Sequence, residues 1–370
     1  MYKPVLRKSA GVRAVCVAAA AVFALSSCAQ QLNSGPPLSD ADLGDAATVD
    51  ALDELYEAAI ENGEESIVTY GPGEDRYKPA YAAFMRRYPE IQVLPEYTFG
   101  ADLATRLNQE FGSGNHVGAM VNGGATITLL ASGSDRCQSY EPFTATELDE
   151  EVVGPDHTFH GFTRWIYGFA YNPDTVDAAD VPASWGDLTD PEWSGRLALT
   201  DPTTVSDSSV TIAAMLYSGD YDETWLREIA ANNPTILANS QLAIQAVASG
   251  QDDISTILSY NSVKRLQEKD LPIQFVAPEG AARIESLYTC MLKDNPAPNA
   301  SKLLLNWMFT EEGQRALAGT GGYSIFRDGP APEGMRPTAE VLETALEEVP
   351  LSVYRDETAE TIELTKSIFR

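Results

Sequence analysis

The chain is poor in cysteine, histidine and basic residues, and no apolar run in it is long enough to cross a membrane. Four cysteines and three histidines occur in 370 residues, with no Cys-x-x-Cys or His-x-x-x-His spacing, so no zinc site is indicated. Catalytic signatures are missing as well. There is no Gly-x-Ser-x-Gly elbow, no loop closing in Gly-Lys-Ser or Gly-Lys-Thr, and no Gly-x-Gly-x-x-Gly fingerprint. Nothing therefore marks a nucleophile, a phosphate cradle or a dinucleotide site. An enzyme is not expected, and no catalytic residue, resident metal or cofactor is assigned. Only 25 lysines and arginines stand against 54 aspartates and glutamates, a net charge of -29. A surface this acidic repels phosphate backbones and argues against a nucleic-acid partner.

What is present begins with the first residues. Lys3, Arg7, Lys8 and Arg13 give a positive start without an acid, and Ala14 to Leu25 is a short apolar run. That is the layout of an export signal, too short for a bilayer span of about 20 residues. Leu25-Ser26-Ser27-Cys28 resembles the lipobox of bacterial lipoproteins, which implies cleavage before Cys28 and acylation of that residue. The alternative is an ordinary signal in which the cysteine is accidental. Residues 1–27 are assigned as signal peptide. Residues 28–49, small and polar with Gly35-Pro36-Pro37, read as a flexible, lipid-anchored tether. The expected location is extracytoplasmic, on the cell membrane. Cys137 and Cys290 then remain, and in an oxidising compartment an isolated pair reads as a disulfide or as two separate buried thiols.

From Asp50 onward short β-branched runs alternate with amphipathic helices, which implies mostly parallel sheets covered on both faces. The pattern predicts helix over 51–62, strand over 66–70, helix to Arg87, then strand 91–97, helix 101–111, strand 117–121 and helix 125–132. A second series starts near Phe162, with strands at 165–171, 197–200, 253–258 and 286–292. One long helix is predicted over 299–317, and helices again over 338–348 and 356–369. Acidic pairs such as Asp252-Asp253 and Glu311-Glu312 read as solvated surface. Two α/β series imply two lobes, with ligand bound outside the carboxyl ends of the strands. The strand-to-helix turns there are Tyr70-Gly71-Pro72-Gly73, the turn after Tyr97, Asn122-Gly123-Gly124, Asp201–Ser208, Asn239-Ser240-Gln241 and Tyr260-Asn261-Ser262.

Four segments carry a family resemblance. They are ALDELYEAAIENGEESIVTYG, KPAYAAFMRRYPEIQV, WIYGFAYNPDTV with PASWGDLTDPEWSGRLALTDPTT, and NASKLLLNWMFTEEGQRALAGTGGYSIFRDG. Together they resemble bacterial extracellular solute-binding proteins of the type II periplasmic class, in the branch of iron(III), 2-aminoethylphosphonate, thiamine and polyamine binders. The resemblance implies an α/β fold of two lobes, each a mixed, mostly parallel sheet flanked by helices, with the ligand cleft at the hinge. It implies a receptor that captures a small solute, closes on it and delivers it to the permease of an ABC importer, and a monomer is expected. Lobe 1 is placed at 50–143 and 282–324, lobe 2 at 144–281 and 325–370. A Cys137–Cys290 bridge would then join two segments of lobe 1 beside the hinge.

Three solute chemistries compete. Helix starts at Thr204, Ser206 and Ser208, at Ser240, and at Asn122 and Gly123 offer N–H groups and hydroxyls to an organic anion such as a phosphonate, although Ser, Thr and Asn are also ordinary caps. Ferric iron would use Tyr260, but iron binders of this branch carry a tyrosine pair where this chain has Tyr260-Asn261. Tyr70, Tyr97, Tyr167 and Tyr171 are further phenols, with buried packing as the plain alternative. A cationic amine would suit Trp165 and Tyr97, with Glu74, Asp75 or Asp207 as counter-charge. Gly71 completes the candidate set. His157 and His160 are expected in a solvated loop, and Trp185 and Trp193 in packing. The organic anion or aminophosphonate-like solute ranks first and ferric iron second. A ligand sensor or structural lipoprotein is the alternative of another class.

Overall fold

Residues 38–369, apart from Glu279 and Glu347, are described by a computed structural model; the expected signal peptide and the lipidation residue Cys28 lie outside them. The first half runs α1 (Ala46–Glu61), β1 (Ser66–Gly71), α2 (Lys78–Arg87), β2 (Gln92–Tyr97), α3 (Gly100–Ser113), β3 (Met120–Gly123) and α4 (Ala125–Ser132). The long β4 (His160–Tyr171) leads into β5 (Leu197–Thr200), α5 (Asp207–Ser218), α6 (Glu223–Ala231), β6 (Thr235–Leu237), α7 (Ser240–Ala248), β7 (Ile254–Ser259), α8 (Tyr260–Gln267) and β8 (Gln274–Val276). The chain returns through β9 (Arg283–Met291), α9 (Pro298–Met308), α10 (Glu311–Gly319) and β10 (Tyr323–Ser324), and closes with α11 (Thr338–Thr344) and α12 (Tyr354–Ile368).

Among the described residues ten strands share one sheet, in the order β2-β1-β3-β9-β4-β7-β5-β6, with β8 and β10 also on β4. The ladders within β2-β1-β3 and within β7-β5-β6 are parallel, as the strand-helix alternation implied. The centre differs: β9 is antiparallel to both β3 and β4, and β4 is antiparallel to β7. Buried on both faces along nearly its whole length, β4 runs from one half of the sheet into the other.

Local chemistry moves several expected boundaries. The tether expected through residue 49 gives way to packed chain: a 3-10 turn covers Asp40–Asp42, Leu43 is buried, and α1 already starts at Ala46. Its cap is Asp45, whose carboxylate accepts the Thr48 N–H at 2.8 Å. The single helix expected over 299–317 is two helices. Thr310 caps the second by accepting the Gly313 N–H at 3.1 Å. A Cβ on Gly313 would stand 2.0 Å from the Trp307 carbonyl oxygen, so only glycine lets the two helices meet there. Two acids expected on the surface are buried instead: Glu312 accepts from Arg87 and from Trp307, and Asp252 from Thr235. His160, expected in a solvated loop, is the buried first residue of β4. Burial, and secondarily His157, push its pKa down to about 4. Trp185 and Trp193 are buried packing residues.

A Cys137–Cys290 disulfide, Cα to Cα 5.6 Å, joins the segment after α4 to the end of β9. Beyond α11 the chain lies along β9: Leu346 N–H donates to the Ala282 carbonyl, and Ser286 donates to Glu348 from both its N–H and its hydroxyl. From there α12 packs on α5 and α6.

Candidate functional site

The sheet register places the site. β3 ends at Gly123, paired with Tyr288, which in turn pairs with Gly161 of β4. β7 approaches from the other half and ends at Ser259, paired with Tyr167. The carboxyl ends of the two parallel sets therefore converge on the segment between Gly161 and Tyr167, and it is outside such strand ends that α/β sheets bind ligands. Trp165 lies in that segment. Opposite it on β9 is Glu285, and Tyr167 faces Arg283 one step further on. Strand alternation puts these four side chains on one face.

Three of them form a connected floor, with Trp165 on the same face beside it. Tyr167 donates its hydroxyl to Glu285 at 2.8 Å, Arg283 lies 3.2 Å from the same carboxylate, and the Arg283 guanidinium sits 4.5 Å over the Tyr167 ring. Against the pull of burial, Glu285 and the Tyr167 ring hold the Arg283 pKa above its ordinary value. Arg283 also reaches Thr211 of α5 at 3.5 Å. Both glycine turns of the first half approach this floor. A Cβ on Gly124 would lie 2.7 Å from Glu285 Oε1, and one on Gly73 would lie 3.2 Å from the Trp165 ring.

The β1–α2 loop supplies three consecutive residues with three different partners. Glu74 is fully buried and accepts from Thr69, from Tyr81 at 2.9 Å and from Asn122 at 2.9 Å. Burial raises its pKa to about 7, against the opposing hydrogen bonds. Asp75 reaches across to Arg265 of α8 at 2.9 Å. The Arg76 guanidinium lies 4.6 Å over the Trp165 ring. One loop thus touches the first half, the second half and the floor.

The sequence candidates scatter around this frame. Asn122, Gly123 and Trp165 lie at the convergence. Gly71 is there too, because a Cβ on it would stand 2.1 Å from the Asn122 carbonyl oxygen. Tyr70 is not: its ring is buried beneath Arg106 and its hydroxyl donates to Glu110 at 2.6 Å. Tyr97 is level with Gly71 but 62 % exposed, against Phe99. At the start of α5, Ser206 is consumed by a capping box with Ser209 and Thr204 is exposed, while the buried Ser208 hydroxyl has no partner. Asp207, first residue of that helix, accepts from Ser240 at 2.6 Å. Tyr260 packs on Phe275 and clusters with Ile166, Ile284 and Tyr323. Ile166 and Ile284 alternate with Trp165 and Glu285, so the ring lies with the other face of the sheet. Asn261 accepts from Ser259. Sequence reasoning missed Arg76, Arg283 and Glu285. The signal for the last two was present: opposite charges two residues apart in an otherwise uncharged strand.

Among the described residues no group of three or more His, Cys, Asp or Glu side chains is placed to hold a metal ion, and no helix is long and apolar enough to cross a membrane.

Solved structures share this two-lobed fold. Iron-bound HitA from Pseudomonas aeruginosa matches with a TM-score of 0.65 at 22% identity, covering 82% of this chain and 99% of that one. AfuA from Actinobacillus pleuropneumoniae, with exogenous fructose-6-phosphate bound, matches with a TM-score of 0.65 at 16% identity, over 82% and 98%. The family model of the bacterial extracellular solute-binding proteins matches residues 132–360, and the chain belongs to that family. By sequence it is similar to "Iron uptake protein A2" of Synechocystis sp., 22% identical over 197 residues, which are 48% of this chain and 57% of that protein. The chain spans about half the length of the curated relatives it matches.

Proposed function

We propose that the chain is the extracytoplasmic receptor of an ABC importer, which takes a small solute between its two lobes and presents it to the permease. The observation that carries this reading is the convergence of both parallel strand sets on one buried, charged and aromatic floor. Groups from both halves already meet across it, Asp75 with Arg265 and Thr211 with Arg283. A solute that contacts both sides stabilises the closed form by its differential affinity for the two states. Lobes at 50–143 with 282–324 and at 144–281 with 325–370 fit this cycle, as does a tether from an acylated Cys28. The solute we favour is a small organic anion.

Ferric iron is the second reading, supported by the iron-bound HitA structure and by the iron-uptake relative. It would require Tyr260 to leave its apolar cluster. Thermal denaturation of the full chain with ferric citrate, 2-aminoethylphosphonate, sugar phosphates, spermidine and thiamine tests both readings. A true solute at 100 times its Kd adds about 2.7 kcal/mol. Stabilisation by ferric citrate alone, abolished in Tyr260→Phe, would reverse the ranking. A ligand sensor would bind without supporting uptake in a transport assay with the permease, and a structural lipoprotein would do neither.

A further inference from the structure

Two donors on the cleft floor are left unused. Arg76 Nε and Trp165 Nε1 are both shielded from solvent, and neither has an acceptor among the described residues. Trp165 is only 8% exposed, and the Arg76 guanidinium lies 4.6 Å over its ring. The hydroxyl of Tyr77, whose ring centroid is 6.2 Å from that of Trp165, is buried and unpartnered too. A shielded donor without an acceptor is destabilising, and more so when the group is charged. Three such groups side by side therefore call for an acceptor from outside the chain.

The neighbouring carboxylates do not supply it. Asp75 is bound to Arg265, and Glu285 to Arg283 and Tyr167. Glu74 is turned toward Thr69, Tyr81 and Asn122. Among the described residues Arg76 forms no ion pair, whereas Arg265 and Arg283 beside it both do.

We propose that Arg76 and Trp165 form an anion subsite, in which a carboxylate or phosphonate oxygen of the solute accepts from Arg76 Nε–H and Trp165 Nε1–H, with the Tyr77 hydroxyl as third donor. This rests on the receptor reading and narrows the solute to one that carries an acid group. The stacked guanidinium provides charge, the indole a fixed direction.

The test is an indole N–H NMR titration of the full 15N-labelled chain with inorganic phosphate, methylphosphonate and acetate in separate arms. The Trp165 resonance is identified by its loss in Trp165→Phe, which keeps an aromatic ring and removes the donor. The expected result is a saturable shift of that resonance with phosphate and methylphosphonate, or with acetate, and the responding arm names the acid. Arg76→Gln should weaken the response at least tenfold, and Arg76→Lys, which keeps the charge, less. No shift in any arm, or an unchanged Kd in Arg76→Gln, overturns the subsite. A solute from the thermal panel that binds Arg76→Gln as tightly as the parent chain sinks the subsite and leaves the receptor standing. A panel with no stabilising compound counts against the receptor itself.

Discussion

Replacing Glu74 by glutamine should remove most of one slope from the pH dependence of stability. The carboxyl is fully buried, and burial raises its pKa from an ordinary 4.5 to about 7. A folded-state pKa above the unfolded one means that the native state binds the proton more tightly. The resulting stability is complete below about pH 4.5 and is lost as pH rises through 7. At about 1.36 kcal/mol per unit, the loss between pH 4.5 and 8 is on the order of 3 kcal/mol. Glutamine does not titrate, and Asn122, whose Oδ1 is unpartnered, has an acceptor to offer the new amide after turning over. His160 titrates in both proteins, so its contribution cancels. Urea unfolding of the two proteins at a series of pH values gives the difference in stability directly. Glutamine should gain on glutamate by about 3 kcal/mol from the acid end of the range to the alkaline end. A difference that stays constant within about 0.5 kcal/mol would refute the assignment of a protonated, buried Glu74.

Further expectations follow from other parts of the fold. Replacing both Cys137 and Cys290 by serine opens a loop of 153 residues and should cost about 4–5 kcal/mol in chemical denaturation, provided the unfolded chain is free of residual structure. Gly313→Ala drives a methyl into the Trp307 carbonyl and should cost about 3 kcal/mol or more, or displace α10, read from the unfolding midpoint. Asp75→Asn breaks a half-exposed ion pair across the cleft and should cost stability by no more than about 1 kcal/mol. Its signature would be a larger radius of gyration without solute in small-angle scattering, and an unchanged radius would mean that the pair does not favour closure. Below about pH 6.5 the buried His160 should cost stability as pH falls toward 4, by on the order of 3 kcal/mol, which opposes the gain from Glu74 over most of that range; in urea unfolding His160→Gln should therefore gain on the parent chain by about that amount from pH 7 to pH 4.

Much of the architecture was legible in the sequence because it is local. Alternating β-branched runs and amphipathic helices mark most of the elements, since periodicity reports which face is buried. Asp45, Ser206 and Thr310 each cap a helix with their own side chain, and caps are set by residues within one turn. Apolar periodicity without that detail runs Thr310 into the middle of a single helix. The positions of the cleft turns, and Trp165 among them, were likewise readable, because ligand crevices follow strand ends.

What only the tertiary structure decided is which side chains the turns and strands bring together. Tyr70 and Trp165 both looked like cleft aromatics, yet one faces Glu110 and the other Arg76, a matter of register and strand face that flips with a single residue. Ser206 has the residue type of a ligand group and is consumed by its own helix, whereas Arg76, which no motif marks, is left with an unused donor among the described residues. The sequence alone determined the elements, their order and the class of protein, since each rests on patterns a few residues long. The pairing of Arg283 with Glu285 is local to β9, but its meaning is not. It becomes a floor only because β3 and β7 end above it from opposite halves of the sheet, and that depends on pairings between strands far apart in the chain, such as Gly123 with Tyr288 and Tyr167 with Ser259.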